Sequence, residues 1–450
     1  MRPKMRAATL AAGALCVALS ASACAGAGGG NSAGDPNSIS VLMVNNPQME
    51  DLQRLTAENF TKETGIRVNY TILPENDVRA KISQEFSSQA GQYDVASLSN
   101  YEIPFYSANG WLASLDDVAG DPEFDQDDIL PAYTASLTGE DGKLYGEPFY
   151  GESSFLMYRK DILEAKGLTI PAKPTWDEVA DIAAKVNGAE PGMKGICLRG
   201  QPGWGQVFAP LTTVVNTFGG TWFDKDWNAQ VNSPEFTEAV EFYTKLVREH
   251  GEAGAAQAGF TECLNNMSQS KVAMWYDATS AAGALEAEDS PVKGKIGYAQ
   301  APVKETKSSG WLWTWSWAMQ AASKKQDAAE KFIAWASSKD YEELVASELG
   351  WAKVPSGKRI STYENAEFQK AAPFFEAERF AIENADPKNP GAQERPAVGI
   401  QFVGIPEFAA LGTNVSQGVS SAIAGQGNVA DALAKGQEAA QKVGNKYKQP

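Results

Sequence analysis

Tryptophan side chains recur at a regular spacing in one short stretch of this sequence. Between residues 311 and 317 every second position is a tryptophan. Alternate residues of a β-strand point to the same face of the sheet, so the spacing predicts four indoles in one row. A row of that length cannot all contact one small ligand, and most tryptophan side chains in proteins are core residues. We therefore expect Trp313 and Trp315 to line a binding crevice and the other two to pack inside the protein.

Three further stretches combine an aromatic surface with a charged or amide side chain. They span residues 149–152, 197–205 and 274–277. A ligand hydroxyl both donates and accepts hydrogen bonds, so carboxylates such as Glu152 and Asp277 complement a donor such as Arg199. This combination is typical of sites that hold small, water-soluble polyols. An ordinary ion pair near a loop explains any single one of these residues equally well.

The same carboxylates could serve a glycoside hydrolase, whose two carboxyl groups lie about 5 to 9.5 Å apart. No acid–base motif accompanies Glu152 or Asp277, however. His250 is the only histidine, and it falls in the last turn of a predicted helix, where its cation suits the helix dipole. Most mechanisms built on an imidazole base are thereby disfavoured. We expect a protein that is not an enzyme and needs no cofactor.

Length and charge limit the classes of protein to which this chain can belong. It has 450 residues with a formal net charge of −17. The length suffices for two large lobes, and the charge disfavours nucleic acid as a partner, because a phosphate backbone requires a basic surface. Cys197 and Cys263 are the cysteines expected in the folded body; in an exported protein they can pair or stay free, and the sequence does not decide. A zinc site is disfavoured by the single histidine.

The N-terminal residues have the pattern of a secretory signal peptide. Basic residues precede an apolar run at 7–19, which is too short for the roughly 20 residues of a membrane-spanning helix. Residues 21–24 resemble a bacterial lipobox, in which Cys24 becomes lipidated; cleavage that releases a free protein is the alternative. We expect a signal peptide at 1–23, then the lipidated Cys24 and a flexible linker to residue 36. The membrane would be contacted only through this anchor.

The elements that must position the candidate residues alternate between short apolar strands and amphipathic helices. In order, the pattern predicts a strand at 39–44, a helix at 49–64 ended by Gly65, and strands at 66–72 and 93–98. Such an order predicts a parallel sheet with helices on both faces and a ligand crevice at the carboxyl ends of the strands. Asn45, Tyr101 and Glu102 fall at such ends.

Taken together, these stretches resemble the solute-binding proteins of bacterial ABC importers of the maltose-binding type over nearly the whole mature chain. The match is closest to the branch that binds sorbitol and mannitol. The segments that carry it are 45–49, 93–95, 100–102, 148–155, 195–200, 274–279, 311–317, 350–355 and 401–408. Their order and separations make the resemblance specific. It implies a two-lobed α/β periplasmic-binding-protein fold, each lobe a mainly parallel sheet flanked by helices, with the ligand in the cleft between the lobes.

The resemblance also implies where the lobes and the site lie. The chain would cross between lobes near residues 150–153, near 299–302 and at the helix ending around Ser337. Lobe 1 would comprise residues 37–149 and 302–338, and lobe 2 residues 150–301 and 339–450. The implied ligand contacts are Asn45, Tyr101, Glu102, Tyr150, Glu152, Arg199, Trp204, Trp275, Asp277, Trp313, Trp315 and Trp351.

By the same resemblance the protein would be a monomer that captures a sugar alcohol and delivers it to an ABC permease. Hinge closure around the ligand would favour the closed form, because only that form completes the hydrogen bonds from both lobes. An open-chain alditol also suits a polar site, since it lacks the flat face of a sugar ring. The alternatives are binding of a mono- or oligosaccharide, a receptor that serves a sensor instead of a permease, and a secreted glycoside hydrolase.

Overall fold

The computed structural model describes residues 37–448. The expected signal peptide, the lipidated Cys24 and the linker that follows it lie outside the described residues. The described strands are β1 (Ser38–Val44), β2 (Arg67–Leu73), β3 (Val95–Ser99), β4 (Glu147–Glu152), β5 (Ser154–Arg159), β6 (Lys194–Cys197), β7 (Val272–Ala278), β8 (Ile296–Gln300) and β9 (Trp313–Met319). They form two separate sheets, as the two-lobed fold requires.

The helices between the strands are mostly short. In chain order they are α1 (Pro47–Thr56), α2 (Lys62–Thr64), α3 (Glu75–Ser88), α4 (Ile103–Ala108), α5 (Asp116–Ala119), α6 (Pro131–Leu137), α7 (Lys160–Ala165), α8 (Trp176–Val186), α9 (Phe208–Thr217), α10 (Pro234–His250), α11 (Phe260–Ser268), α12 (Ala282–Leu285), α13 (Gln326–Ser337), α14 (Lys339–Leu349), α15 (Ile360–Glu364), α16 (Ala366–Ala371), α17 (Phe375–Glu383), α18 (Phe408–Ile423) and α19 (Val429–Gly444). Across residues 37–448 none of these helices has the length and apolar character to cross a membrane.

The first sheet has five strands in the order β2-β1-β3-β9-β4. β1 pairs in parallel with β2 and β3, whereas β9 is antiparallel to both of its neighbours. The carboxyl ends of β1, β2, β3 and β4 therefore meet the amino end of β9 at one edge. Asn45, Glu75, Glu152 and Trp313 are brought to this edge, which is where the crevice was expected.

The second sheet has four strands in the order β6-β7-β5-β8. β6 and β7 are parallel, and β5 is antiparallel to β7 and β8. Both sheets are thus mixed, not mainly parallel. At each crossing, one strand ends on the side of its sheet that faces the other lobe, and the next strand begins on the facing side of the other sheet. Each sheet therefore contains strands that run in both directions.

The first crossing is a single residue, Ser153, which separates β4 from β5. The second connects β8 to β9 through residues 301–312. Beyond α13 the chain keeps its contacts with the first sheet: the ring of Tyr341 in α14 lies 5.7 Å from that of Phe149 in β4, and Arg359 donates to the carbonyl of Phe124. We therefore propose that lobe 2 takes up the chain again after Arg359, not at 339.

A disulfide joins Cys197 at the end of β6 to Cys263 in α11, with the two Cα atoms 5.6 Å apart. Both cysteines are fully buried. The bond settles the pairing that the sequence left open. It also ties the strand that precedes Arg199 to the helix whose first turn faces the cleft.

Candidate ligand-binding cleft

The facing edges of the two sheets enclose a cavity of about 290 Å³. Five of the expected contacts line it: Asn45, Tyr150, Glu152, Arg199 and Trp315. Each stands at the end of a strand or in the loop that follows one, because opposing sheet edges bring such positions together. The cavity therefore lies at the ends of the strands between the two sheets, the position at which the sequence predicted a ligand crevice.

Arg199 lines the cavity and is held from behind by Asp277. Its Nε and Nη2 donate to the two carboxylate oxygens of Asp277 at 2.8 and 2.6 Å, and its Nη1 donates to the carbonyl of Gly205 at 3.0 Å. Burial alone would lower the pKa of Arg199, but the carboxyl groups of Asp277, Glu75 and Glu152 together outweigh it, so the pKa is raised. The guanidinium is thereby fixed as a cationic donor toward the cavity.

Asp277 itself is fully buried behind the cavity. Besides Arg199, it accepts the indole N–H of Trp275 at 3.1 Å and the backbone N–H of Ala278 at 2.7 Å. Neither Asp277 nor Trp275 lines the cavity. Asp277 holds the guanidinium of Arg199 in position, and Trp275 in turn holds Asp277.

Glu152 is the carboxyl group that faces the cavity from β4. Burial raises its pKa to about 8, although a hydrogen bond from Ser280 works in the opposite direction. The hydroxyl of Ser280 donates to Glu152 Oε2 at 2.5 Å. Tyr150 next to it accepts a hydrogen bond from Asn46 Nδ2 at 2.8 Å. Burial deprives the carboxyl group of Glu152 of hydrogen bonds from water, and a ligand hydroxyl that donates to it would replace them.

Arg79 connects the cavity to a cluster of indoles. Its guanidinium pairs with Glu75 and Glu102, each at 2.9 Å, and lies 4.5 Å from the ring centres of both Trp204 and Trp315. A cation against an indole face is attracted by the ring quadrupole. Arg79 thus holds several aromatic rings of the site in one arrangement.

Contacts between the lobes complete the site. Glu75 Oε2 lies 3.5 Å from Arg199 Nη1 and accepts from Gln206 Nε2 at 3.3 Å. Asn76 donates to the carbonyl of Pro202 at 2.9 Å. Because these pairs join α3 to the loop after β6, the two lobes are in contact, and the structure has the closed arrangement.

The other expected contacts lie outside the main cavity. Trp313 lines a void of about 30 Å³ that adjoins it and shares Glu152, Arg199 and Trp315 with it. Tyr101, Glu102 and Trp204 line a separate outer groove. Trp351 lies in a short 3₁₀ turn, Trp351–Lys353, and does not line the cavity. The four indoles do not form one row, since β9 begins at Trp313 and Trp311 precedes it.

Several lining residues were not among the expected contacts. Those with polar or aromatic side chains are Asn46, Glu75, Gln201, Gln206, Phe260, Thr261, Glu262 and Ser280. Glu75 directly follows the carboxyl end of β2, so the rule that pointed to Asn45 could have found it. The residues at 259–262 come from the first turn of α11, which no local pattern places beside the first sheet.

One group of side chains in the described part of the chain has the spacing of metal ligands: Cys197, Glu252 and Cys263. Its two sulfur atoms are joined in the disulfide, so they offer no thiolate to a metal ion. The cavity, in contrast, offers carboxylate acceptors, a guanidinium and amide groups beside indole faces. Such a set suits a neutral ligand with many hydroxyl groups.

Comparisons with known proteins agree with this fold. Residues 45–343 match the model of the family described as bacterial extracellular solute-binding protein. A mannitol-binding protein from Pseudomonas aeruginosa is 37% identical over 402 residues, which cover 89% of this chain and 91% of that protein.

Two solved structures extend the comparison. An ABC-transporter solute-binding protein from Agrobacterium vitis S4 with bound D-mannitol is 43% identical, with a TM-score of 0.89 over 92% of this chain and 99% of that one. A solute-binding protein from Agrobacterium radiobacter K84 in complex with ribitol is 26% identical, with a TM-score of 0.79 over 90% of this chain and 98% of that one. With its two lobes closed over a polar cavity, this chain belongs to the family of bacterial extracellular solute-binding proteins.

Proposed function

We propose that the protein captures a sugar alcohol such as sorbitol, mannitol or xylitol and delivers it to the permease of an ABC importer. The observation that carries the proposal is the cavity between the lobes, where Arg199, Glu152 and Glu75 present donors and acceptors beside Trp315. The similarity to proteins that hold D-mannitol and ribitol supports the same ligand class.

The geometry suits an acyclic polyol because hydroxyl groups all along such a molecule need partners on every side. Donors and acceptors reach the cavity from both sheets: Asn45 and Glu152 come from the first and Arg199 from the second. Each lobe alone would satisfy only part of the ligand, and closure satisfies the rest. Ligand binding and closure would therefore be one coupled event.

A thermal-shift screen over alditols, aldoses and disaccharides tests the proposal. A ligand that binds only the folded state stabilises it by about 2.7 kcal/mol at a concentration of 100 Kd. We expect one or a few alditols to raise Tm, with isothermal titration confirming one site per chain. A panel without any alditol response would refute the assignment.

We further propose that the protein acts by binding alone and turns over no glycoside. Asp277, the carboxylate that could pair with Glu152 in a hydrolase, is held by Arg199 and Trp275 and does not line the cavity. Glu75 does line the cavity, but it is paired with Arg79. Incubation of the purified protein with aryl glycosides should release no phenol above the buffer rate. Release that depends on Glu152 would contradict the proposal.

The proposed partner arrangement is a monomer tethered to the outer face of the cytoplasmic membrane through Cys24. Full-length protein expressed in a lipoprotein-competent bacterium should fractionate with membranes, and Cys24→Ala should move it to the soluble fraction. A variant that stays with the membrane would argue against lipidation. Size-exclusion chromatography and recovery of permease subunits with the tethered protein would test the monomer and the partner.

A further inference from the structure

The seam between the lobes contains a second, larger space. An open groove of about 900 Å³ is lined from the first lobe by Arg79 and Tyr101 and from the second by Trp204 and by residues of α18. The enclosed cavity and its adjoining void measure about 290 and 30 Å³. The cavity is therefore at the small end of the range of about 300–1,000 Å³ typical of small-molecule sites.

A thin layer of side chains separates the two spaces. Arg79 lines both the groove and the small void behind it. On the groove side stand Tyr101 and Trp204, and on the void side stand Trp313 and Phe402. The ring centres of Trp204 and Trp313 are 6.2 Å apart, and those of Tyr101 and Phe402 are 5.7 Å apart. We call these five residues the partition.

The partition is assembled from both lobes. Arg79 in α3, Tyr101 just after β3 and Trp313 in β9 come from the first lobe, whereas Trp204 in the loop after β6 and Phe402 just before α18 come from the second. The hydroxyl of Tyr101 donates to the carbonyls of Val403 at 2.8 Å and Ile405 at 3.1 Å. The partition is thus complete only when the lobes are in contact.

The backbone around Phe402 is strained. Gly399 and Phe402 form an isolated antiparallel bridge, and Ile400 between them has a φ of 58°. A β-branched residue in the left-handed region is unfavourable and persists only where the surrounding structure imposes it. The strained turn holds the ring of Phe402 between Trp204 and Trp313, at 5.4 and 6.1 Å.

We infer that the partition of Arg79, Tyr101, Trp204, Trp313 and Phe402 sets the maximum length of the ligand. It admits a single polyol chain or a single sugar unit and excludes disaccharides and glycosylated polyols. This inference rests on the proposed function and adds to it a limit on the size of the ligand. A ligand that reached beyond the cavity would keep Phe402 and Trp204 from meeting Trp313, so the lobes could not close.

Removal of one aromatic ring from the partition would enlarge the space open to a ligand. Truncation of a buried aromatic ring leaves a space that the surroundings fill only in part. In Phe402→Ala or Trp204→Ala that space would join the small void to the groove of about 900 Å³. A second sugar unit attached to the polyol would then have room in the seam.

The test compares a hexitol with its glucosylated form, maltitol, by isothermal titration. Wild-type protein is expected to bind the hexitol and to give no detectable heat with maltitol. Phe402→Ala and Trp204→Ala should each gain at least tenfold in affinity for maltitol. Phe380→Ala is the matched control, since Phe380 lies on α17 with 44% of its surface exposed and contributes nothing to the partition.

Tyr101→Phe keeps the ring contacts but removes the hydrogen bonds to the second lobe. The ratio of its affinity for the hexitol to its affinity for maltitol should be severalfold lower than in wild type. This variant tests the inference even if neither Phe402→Ala nor Trp204→Ala folds. Wild-type binding of maltitol within tenfold of the hexitol would overturn the inference. The inference would also be overturned if Phe402→Ala and Trp204→Ala bound the hexitol and still rejected maltitol. If the wild-type protein binds glucose and no alditol, the proposed function is wrong. The partition can then still be tested in the same variants by comparing their affinities for glucose and for maltose.

Discussion

Arg199 and Asp277 meet at two points behind the cavity, with nitrogen to oxygen distances of 2.8 and 2.6 Å. Asp277 is fully buried and Arg199 nearly so. The pair therefore joins folding to binding: the same guanidinium that presents a donor to the cavity depends on a carboxylate that no ligand can reach. Substitutions at this pair should change both properties together.

Replacement of Asp277 by Asn should destabilise the protein strongly. It removes the bidentate partner of the buried Arg199 cation and leaves only the more distant Glu75, at 3.5 Å, and breaking a buried pair on one side costs about 3–5 kcal/mol. Urea unfolding measures the loss. Asp181→Asn is the control, because its ion pair with Lys185 is exposed and such pairs contribute about 0–1 kcal/mol. Equal stability of the two variants would show that Arg199 is held by other contacts.

Stability of the ligand-free protein should depend on pH through Glu152. Burial raises the pKa of this carboxyl group from 4.5 to about 8, so the folded state holds the proton more tightly than the unfolded chain. Stability should therefore be highest below the unfolded pKa and fall as pH rises toward about 8. Burial also raises the pKa of Glu378, to about 7, which adds a contribution of the same sign.

Glu152→Gln isolates the first contribution. The variant should gain stability relative to wild type near pH 8, and this gain should shrink toward pH 5, as measured by urea unfolding at several pH values. Glu164→Gln, on the exposed side of α7, should reproduce the wild-type profile. An unchanged pH slope in Glu152→Gln would mean that Glu152 ionises normally in the folded protein.

Asn45 and Asn46 are adjacent and both line the cavity, but only the side chain of Asn46 is already held by other parts of the protein. Asn45 lines the cavity and is exposed, so Asn45→Ala should weaken ligand binding by about 0.5–1.5 kcal/mol. Asn46 caps α1 by accepting from the backbone of Met49 and donates to Tyr150. Asn46→Ala should cost about 1 kcal/mol of folding stability. Calorimetric titration and urea unfolding of both variants would reveal any reversal of these effects.

Loss of the disulfide should lower both stability and affinity. Cys197 and Cys263 are 66 residues apart in sequence, and a chain-entropy estimate for such a loop is about 4 kcal/mol. The double variant Cys197→Ala, Cys263→Ala should unfold at lower urea. Its ligand affinity should also fall, because the bond holds the first turn of α11 beside Arg199. Unchanged unfolding in the double variant would indicate that the oxidised and reduced proteins are equally stable.

Local patterns predicted the first two strands of the first sheet well. The alternation at 66–72 became β2, and the apolar run at 39–44 became β1, each within a residue or two. Gly65 ends the helical segment between them with a φ of 73°, as expected of a glycine in that position. These features depend on neighbours in sequence, so residue order alone contains the needed information.

The site was harder to predict because residue type does not distinguish a ligand contact from its support. Arg199 and Asp277 are both charged and both lie near the carboxyl ends of strands, yet only Arg199 lines the cavity. Tyr101 has the composition of a ligand contact, but its hydroxyl is occupied by carbonyls about 300 residues further along the chain. Pairings of such long range leave no local signal.

The arrangement of indoles around Arg79 gives the protein an intrinsic optical reporter. Trp204 approaches this guanidinium from one lobe and Trp315 from the other side of the seam, each at 4.5 Å. When the lobes separate, Trp204 loses the cation and gains water, so its emission should shift to longer wavelength. Ligand titrations could then be followed by tryptophan fluorescence without any attached dye, and Trp204→Phe should abolish most of the signal.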